Sequence, residues 1–458
     1  MSKLLRFVIY ISFLANCLNT SAQVFSVPQN INPETVTAPD SPAMPEVWSY
    51  YDCVKWAVAN NTDLRRVLLS ILESEQNIGS AEDAWLPTVG FSTNHGYTNY
   101  PMPGNGRKAN NYSSGYNLNA NWTVWEGNVR KYRLESAKLI KKQQEFNGAD
   151  QIKTLELGIL QAYLNILYSS EAINIAQSSL EVSTGQAERS KRLMENGKIS
   201  RVDYSQFESQ KAQDEYNLIQ AQINFSTAVV NLKNLLNLDL EYDLMIYDVE
   251  FSDADINAPV PPKKEVYELA QQWLPQFKSN DLNKEIYDYD IKIAKAGYLP
   301  SITLSGGVGT GYTTGLDSWG NQMKNAFNEN IGVSLSIPIY DANKTKRAIT
   351  MAKLQAIDYD LTKASLLNDL SSTIDNLYLE SENAKARYIS GKKQLESFEL
   401  TSQLVDRQFD LGLVNPLEVL TAHNNLLNAR LELLQNKFMA ILAYKTIIYY
   451  ATKTTSIP

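Results

Sequence analysis

The chain has 458 residues, with 42 Lys and Arg against 50 Asp and Glu, a formal net charge of -8 and a pI near 5.1. That length fits two or three domains. A charged fraction of 20% with 44% hydrophobic residues excludes a disordered chain, and the acidic balance speaks against a nucleic-acid-binding surface. Two cysteines and two histidines, His95 and His423, leave no material for a disulfide framework, a Cys-rich zinc site, a His-based metal site or Ser-His-Asp chemistry. No metal, cofactor or enzymatic activity is expected.

In chain order, Lys3 and Arg6 precede the apolar run Phe7 to Leu14, and Thr20-Ser21-Ala22 offers small residues before Gln23. This reads as a secretory signal peptide over residues 1–22, which directs the chain out of the cytoplasm. Leu14-Ala15-Asn16-Cys17 is a weaker rival, loosely like a lipobox with Cys17 as the lipidated residue. Cys53 reads as a small buried apolar residue on a helix. Residues 23–45 contain Pro28, Pro33, Pro39, Pro42 and Pro45 and read as an extended arm.

From residue 46 the pattern turns helical, until Trp85-Leu86-Pro87 punctuates it. Val89 and Phe91 then alternate with Gly90, Ser92 and Asn94, and Tyr116, Leu118, Ala120, Trp122 and Val124 alternate with Asn117, Asn119, Asn121 and Thr123. Period two with one apolar and one polar face marks strands with oil on one side and water on the other. A soluble two-sheet sandwich would show the same alternation. The signal peptide, the aromatics near the strand ends and the lack of elements to cover the sheet favour the membrane. Proline is absent between residues 104 and 258, and residues 129–195 and 203–237 are rich in Ala, Leu, Gln, Glu and Lys with apolar steps of three and four. A helix over 129–195 is on the order of 100 Å long, a length used by coiled coils. Pro259, Pro261 and Pro262 sit in an acidic irregular stretch, residues 241–264, read as a linker.

The pattern then repeats. Trp85-Leu86-Pro87-Thr88 recurs 213 residues later as Tyr298-Leu299-Pro300-Ser301, and Asn128, Tyr163, Arg192 and Gly197 recur 215 residues later as Asn343, Tyr378, Arg407 and Gly412. Residues 46–240 and 265–452 are thus two copies of helix, strand, loop, strand, long helix, tip, long helix, with a tail at 453–458. In the second copy Ile302 and Leu304, and the run Ile331 to Ile339, supply the alternating strands. Residues 101–114 and 311–328 read as Gly/Asn-rich turns between paired strands. Four strands cannot close a barrel and an open edge is forbidden in lipid, so three copies closing twelve strands are expected.

These features resemble the outer-membrane efflux protein family, the TolC-like channels, over about residues 46–452. The matching pieces are Ala84-Trp85-Leu86-Pro87 and Gly297-Tyr298-Leu299-Pro300, then the turn Ile337-Pro338-Ile339-Tyr340-Asp341-Ala342-Asn343 with its proline-free twin Trp122 to Asn128. The helix tips Asn196 to Asp203 and Leu411 to Glu418 complete the set. The resemblance implies a mainly α chain of long antiparallel coiled-coil helices plus four membrane strands, assembled as a homotrimer with a twelve-stranded outer-membrane barrel and a periplasmic tunnel. It implies a duct of a tripartite efflux or type I secretion system. Its partners would be outer-membrane lipid, a periplasmic adaptor protein and an inner-membrane pump of RND or ABC type, with no nucleic acid. Cargo would be drugs, detergents, metals or polypeptides.

By the same resemblance Pro87, Pro300, Pro338 and Asp341 make the barrel-to-helix turns. Gly197, Lys198, Ile199 and Ser200, with Gly412, Leu413, Val414 and Asn415, would dock the adaptor. Asp203 and Glu418 are candidate gate acids, which double as helix-start acids favoured by the dipole. Thr421 stands where some members carry a second acid, and Phe409 and Val414 where some carry a tyrosine–arginine lock. Arg130, Lys131 and Arg133, with Lys344, Lys346 and Arg347, are read as contacts to anionic head groups or as a solvated face. His95 reads as a surface or barrel-lining residue and His423 as packing or solvent-facing. The competing reading is a secreted structural coiled-coil surface protein without a channel.

Overall fold

The computed structural model describes residues 44–102 and 109–454. The expected signal peptide, the lipobox rival at Cys17 and nearly all of the proline-rich arm lie outside them, as do the tip of the first strand loop and the last four residues.

From Glu46 the chain forms one unit. Helices α1 (Tyr50–Asn60) and α2 (Thr62–Asp83) lead into strands β1 (Thr88–Asn99) and β2 (Asn110–Trp125), then helices α3 (Val129–Glu195) and α4 (Arg201–Leu236). Short α5 (Asp253–Ile256) follows, then α6 (Lys263–Trp273) and α7 (Pro275–Ala296), strand β3 (Ser301–Thr313), helix α8 (Trp319–Asn325), strand β4 (Asn328–Ser336) and helices α9 (Lys344–Asp410) and α10 (Pro416–Thr452). The expected repeat is therefore present in three dimensions, with long helices of 67 residues in both halves. Among the described residues no helix is long and apolar enough to cross a membrane.

The two hairpins join in one antiparallel sheet of order β1-β2-β3-β4. The central pairing matches Leu118 with Val308 and Trp122 with Leu304, and slips at Thr123/Trp125. Strand β4 ends at Ser336, earlier than the alternation through Ile339 suggests. Pro338 has no N–H to give the ladder, so the chain leaves the sheet there. Residues 311–328 are not a plain turn. Helix α8, capped by Ser318, folds beside β3 above Gly309, where β4 no longer pairs. The Gln322 amide donates to Thr313 O at 3.0 Å, and its oxygen accepts from Thr313 N at 2.8 Å, standing in for the missing strand.

The main core girdles the helices at mid-length. Ile159, Leu160, Tyr163 and Ile166 of α3 are fully buried against Trp48, Cys53, Leu232 and Leu236. Cys53 is the buried helix residue expected. The stretch 241–264 is irregular as anticipated, yet it is no free linker: Leu244, Val249, Phe251 and Ile256 are buried in this core, and Trp48 pairs as a bridge with Ile246. The repeat-related tyrosines anchor it at both ends. Tyr163 donates to Tyr247 O at 2.6 Å and Tyr378 donates to Pro261 O. A second core joins Val266, Ala270, Leu274 and Phe277 to Leu370, Ile374 and Ile447.

Candidate functional site: sheet, junctions and tips

The sheet has two chemically distinct faces. Cross-strand pairs place Val89, Phe91, Leu118, Ala120, Val308, Leu304, Val333 and Leu335 on one, with Thr93, His95, Tyr97, Tyr112 and Tyr116 toward the loop end. The other face carries Ser92, Asn94, Asn117, Asn119, Asn121, Ser305, Asn330 and Ser334 with interleaved glycines. Across all four strands the only Asp, Glu, Lys or Arg is Glu329. Phe91, Ile331 and Val333 are 68, 87 and 71% exposed in the single chain, too much apolar surface to leave in water.

Below the sheet, two junctions turn strand into long helix. In each, two consecutive residues take left-handed backbone: Gly127 (φ 63) and Asn128 (φ 65), Ala342 (φ 53) and Asn343 (φ 65). Trp85-Leu86 and Tyr298-Leu299 close the preceding helices with tight turns, as in Leu86 N to Asp83 O and Leu299 N to Ala296 O, and Pro87 and Pro300 stop further winding. Asp341 accepts from Thr345 N at 2.8 Å, which fixes the second junction and holds its carboxyl below the usual carboxylate range.

Arg130 departs from expectation. It is not a lipid-facing cation but a buried one, 5% exposed, donating to Ala84 O at 3.2 Å and Val124 O at 2.7 Å. Its guanidinium lies 4.6 Å from the centre of the Trp85 ring, with Glu126 at 3.9 Å. The carbonyls at a helix end and a strand end need donors, and the planar fork of arginine reaches both. Lys131, Arg133, Lys344, Lys346 and Arg347 are exposed.

The tips match the sequence reading closely. Gly197 (φ 70) and Gly412 (φ 71) are left-handed. Lys198 N reaches Leu193 O and Leu413 N reaches Gln408 O, both at 2.9 Å, so each helix ends in a Schellman turn. Neither glycine has anything within 4 Å of where a Cβ would stand, so backbone conformation alone selects glycine there. Lys198, Ser200, Leu413 and Asn415 are exposed, and Ile199 and Val414 partly so.

Asp203 and Glu418 both cap helices in the single chain. Ser200 N donates to Asp203 at 3.0 Å while Asp203 N donates to Ser200 Oγ at 3.1 Å. Glu418 N donates to Asn415 Oδ1 and the Asn415 amide returns to Glu418 Oε1, each at 3.0 Å. Thr421 turns its hydroxyl back to Leu417 O.

What the sequence reading missed is how the two hairpins hold each other above the tips. Phe409 packs on Phe207 with ring centres 5.4 Å apart, within a cluster that includes Ala187, Val419 and Val414. Arg189 pairs with Asp410, and Gln186 donates to Asp406 at 3.1 Å. His423 is buried, its Nε2 2.9 Å from Asp214 Oδ2 and 3.0 Å from Ser179 Oγ. Burial alone would raise the Asp214 carboxyl; hydrogen bonds from His423, Ser183 and Gln210 outweigh it and hold it below its ordinary value. Serine and aspartate meet the same imidazole nitrogen, so this trio lacks the relay order of a hydrolase triad. Among the described residues no group of acidic, His and Cys side chains could hold a metal.

An open sheet with one oily face, feeding paired helices that end in matched tips, defines a chain built to pass through an outer membrane and extend beneath it. The family model of the outer membrane efflux protein matches residues 54–238 and 266–446, one segment per repeat, and the chain belongs to that family. It is an outer-membrane efflux channel protein, from a family of channels rather than enzymes. It is 22% identical to toxin and drug export protein A of Aggregatibacter actinomycetemcomitans, covering 87% of this chain and 86% of that one. Against the outer membrane protein TolC of Escherichia coli (strain K12) identity is 22%, covering 83% and 77%. The crystal structure of the Campylobacter jejuni CmeC outer membrane channel superposes with a TM-score of 0.67 at 17% identity, covering 88% and 86% of the two chains.

Proposed function

We propose that three copies of this chain close their sheets into a twelve-stranded barrel, apolar face to lipid and amide-rich face to water, with the hairpins forming a periplasmic tunnel. The observation that carries this is the open four-stranded sheet. Its outer edges on β1 and β4 are unpaired in one chain, and hydrocarbon tolerates no such edge. The tunnel would dock through its tips on a periplasmic adaptor, which links it to an inner-membrane pump. Exposed Leu411, Leu413, Leu417 and Val202 beside the tip glycines suit such a contact, being 73, 70, 65 and 68% exposed. Relatives are named for export of toxin and drug and for cobalt-zinc-cadmium resistance. Export of small molecules, metals or polypeptides is the corresponding reading here.

In the trimer Asp203 and Glu418 would recur as three-fold rings near the tunnel end, where carboxylates favour cations. The barrel face, with amides and hydroxyls and no charge, adds no charge selection of its own. The test is planar-bilayer conductance of the purified protein. Glu418→Ala is expected to lower cation preference, and Asp203→Ala to lower it less. Absence of channels would favour the structural coiled-coil reading; unchanged selectivity would leave both acids as caps only.

A further inference from the structure

We propose that Glu329 on the free edge of β4 faces His95 on the free edge of β1 of the next copy, and that this contact sets the register in which the barrel closes. The inference rests on the reading that copies of this chain close the sheet.

Three observations converge. First, Glu329 and His95 stand out on their strands: one is the only carboxylate in the sheet, the other the only imidazole. They sit on the two edge strands, the ones that must meet on closure. Second, both lie on the apolar face. His95 pairs with Ser114 beside Tyr112 and Tyr116, while Glu329 pairs with Val308, itself opposite Leu118. A carboxylate aimed at the lipid side is costly, and a partner across the seam offsets that cost. Slipping an antiparallel register by one residue puts one strand's apolar set on the wrong face, so only alternate registers are allowed.

Third, the strand feet choose among those registers. Within the chain, Ser301 pairs with Ser336 and Ile302 with Trp125, so neighbouring strands start flush at the foot. The same rule at the seam pairs Ser336 with Thr88 of the next copy. Leu335 then meets Val89, Val333 meets Phe91, and Glu329 meets His95. A line of pairs from Thr88 through Asn121, Ser305 and Gly332 reaches Ser92 of the next copy. That is a shift of about four residues per copy, giving shear equal to strand number, the ratio that tilts strands by about 36°.

The imidazole is already oriented for this. The His95 Nδ1 is 2.7 Å from the Tyr112 hydroxyl and its Nε2 is 3.1 Å from Thr93 Oγ1, with the Tyr116 ring edge-on at 5.6 Å. A carboxylate arriving across the seam shares the Nε2 hydrogen with the Thr93 hydroxyl.

Directly opposed residues of an antiparallel pair lie within disulfide reach. In a Cys53→Ala background, three pairs report three registers in intact outer membranes under mild oxidation. These are His95→Cys with Glu329→Cys, His95→Cys with Ile331→Cys, and Thr93→Cys with Glu329→Cys. The first is expected to give several-fold more reducible inter-chain product than either neighbour. In the otherwise native chain, Glu329→Lys is expected to lower the temperature at which the assembly dissociates in detergent. More product in a neighbouring register would overturn the proposal, as would no product from any pair while the detergent mass stays at three chains. A monomeric mass would overturn the closure reading along with it.

Discussion

The two strand-to-helix junctions have nearly the same backbone and different chemistry. Both place two left-handed residues before a 67-residue helix, Gly127-Asn128 in the first half and Ala342-Asn343 in the second. The first is clamped by Arg130, reaching into the carbonyls of Ala84 and Val124. At the position 215 residues on stands Thr345, buried against Gly297, whose backbone N–H goes to Asp341. The neighbours changed together: the bulky clamp faces Ala84 and Trp85, while the small threonine fits a glycine that has no Cβ to clash, since a Cβ on Gly297 would stand 2.9 Å from Thr345 Oγ1. The repeat preserves the turn and lets each half solve the carbonyl-satisfaction problem with its own residues.

Removing the clamp is the largest perturbation. Arg130→Met leaves two carbonyls without their donor and is expected to cost about 3 kcal/mol, read as a lower dissociation temperature and lower outer-membrane yield. Thr345→Ala is expected to cost only about 1 kcal/mol. Lys131→Glu and Arg133→Glu, both exposed, are expected to stay within about 0.5 kcal/mol. Equal losses at Arg130 and Thr345 would erase the distinction between the halves.

The second contrast is at the left-handed pair. A methyl on Gly127 would meet Leu299 Cδ1 at 2.9 Å and Ala296 Cβ at 3.2 Å, on top of an unfavourable φ. Gly127→Ala is therefore expected to cost about 2 kcal/mol. Ala342 already tolerates its Cβ at φ 53, so Ala342→Gly relieves strain and is expected to gain a few tenths to about 1 kcal/mol. A loss there would show that the second junction is not strained.

The tips sharpen this further, because their glycines have open space. Gly197→Ala and Gly412→Ala are expected to cost about 1 kcal/mol each, from conformation alone. Bulky replacements at both are expected to abolish export while leaving the assembly intact, measured as drug susceptibility beside detergent mass. The smallest effect is on pH. The Asp214 carboxyl is held below its ordinary 3.8 in the folded chain, so its contribution is present above that value and lost as pH falls through the folded one. The hairpin contact near His423 is expected to resist proteolysis unchanged from pH 7 down to 5 and to loosen only below about 4; Asp214→Asn removes that acid step.

Much of this was legible from local signals. Period two in Phe91 and Leu118, the absence of proline along α3 and α9, and the paired glycines at 197 and 412 act within a few residues of themselves. The missed parts depend on partners remote in sequence. Arg130 reads as one of three basic residues until Ala84 is folded beside it. His423 and Asp214 are 209 positions apart, and no period links Phe207 to Phe409. Leu244, Val249, Phe251 and Ile256 are spaced irregularly, so their burial left no pattern either. Helix α8 did have a start signal in Ser318, hidden among glycines and asparagines.

The closing of the sheet by further copies is most directly tested by the absolute mass of the purified protein in mild detergent, corrected for bound detergent. Three chains per particle, each about 51.5 kDa less any leader removed, is the expected result. A uniform single-chain particle, or a rod that stays soluble and monodisperse with no detergent bound, would contradict it.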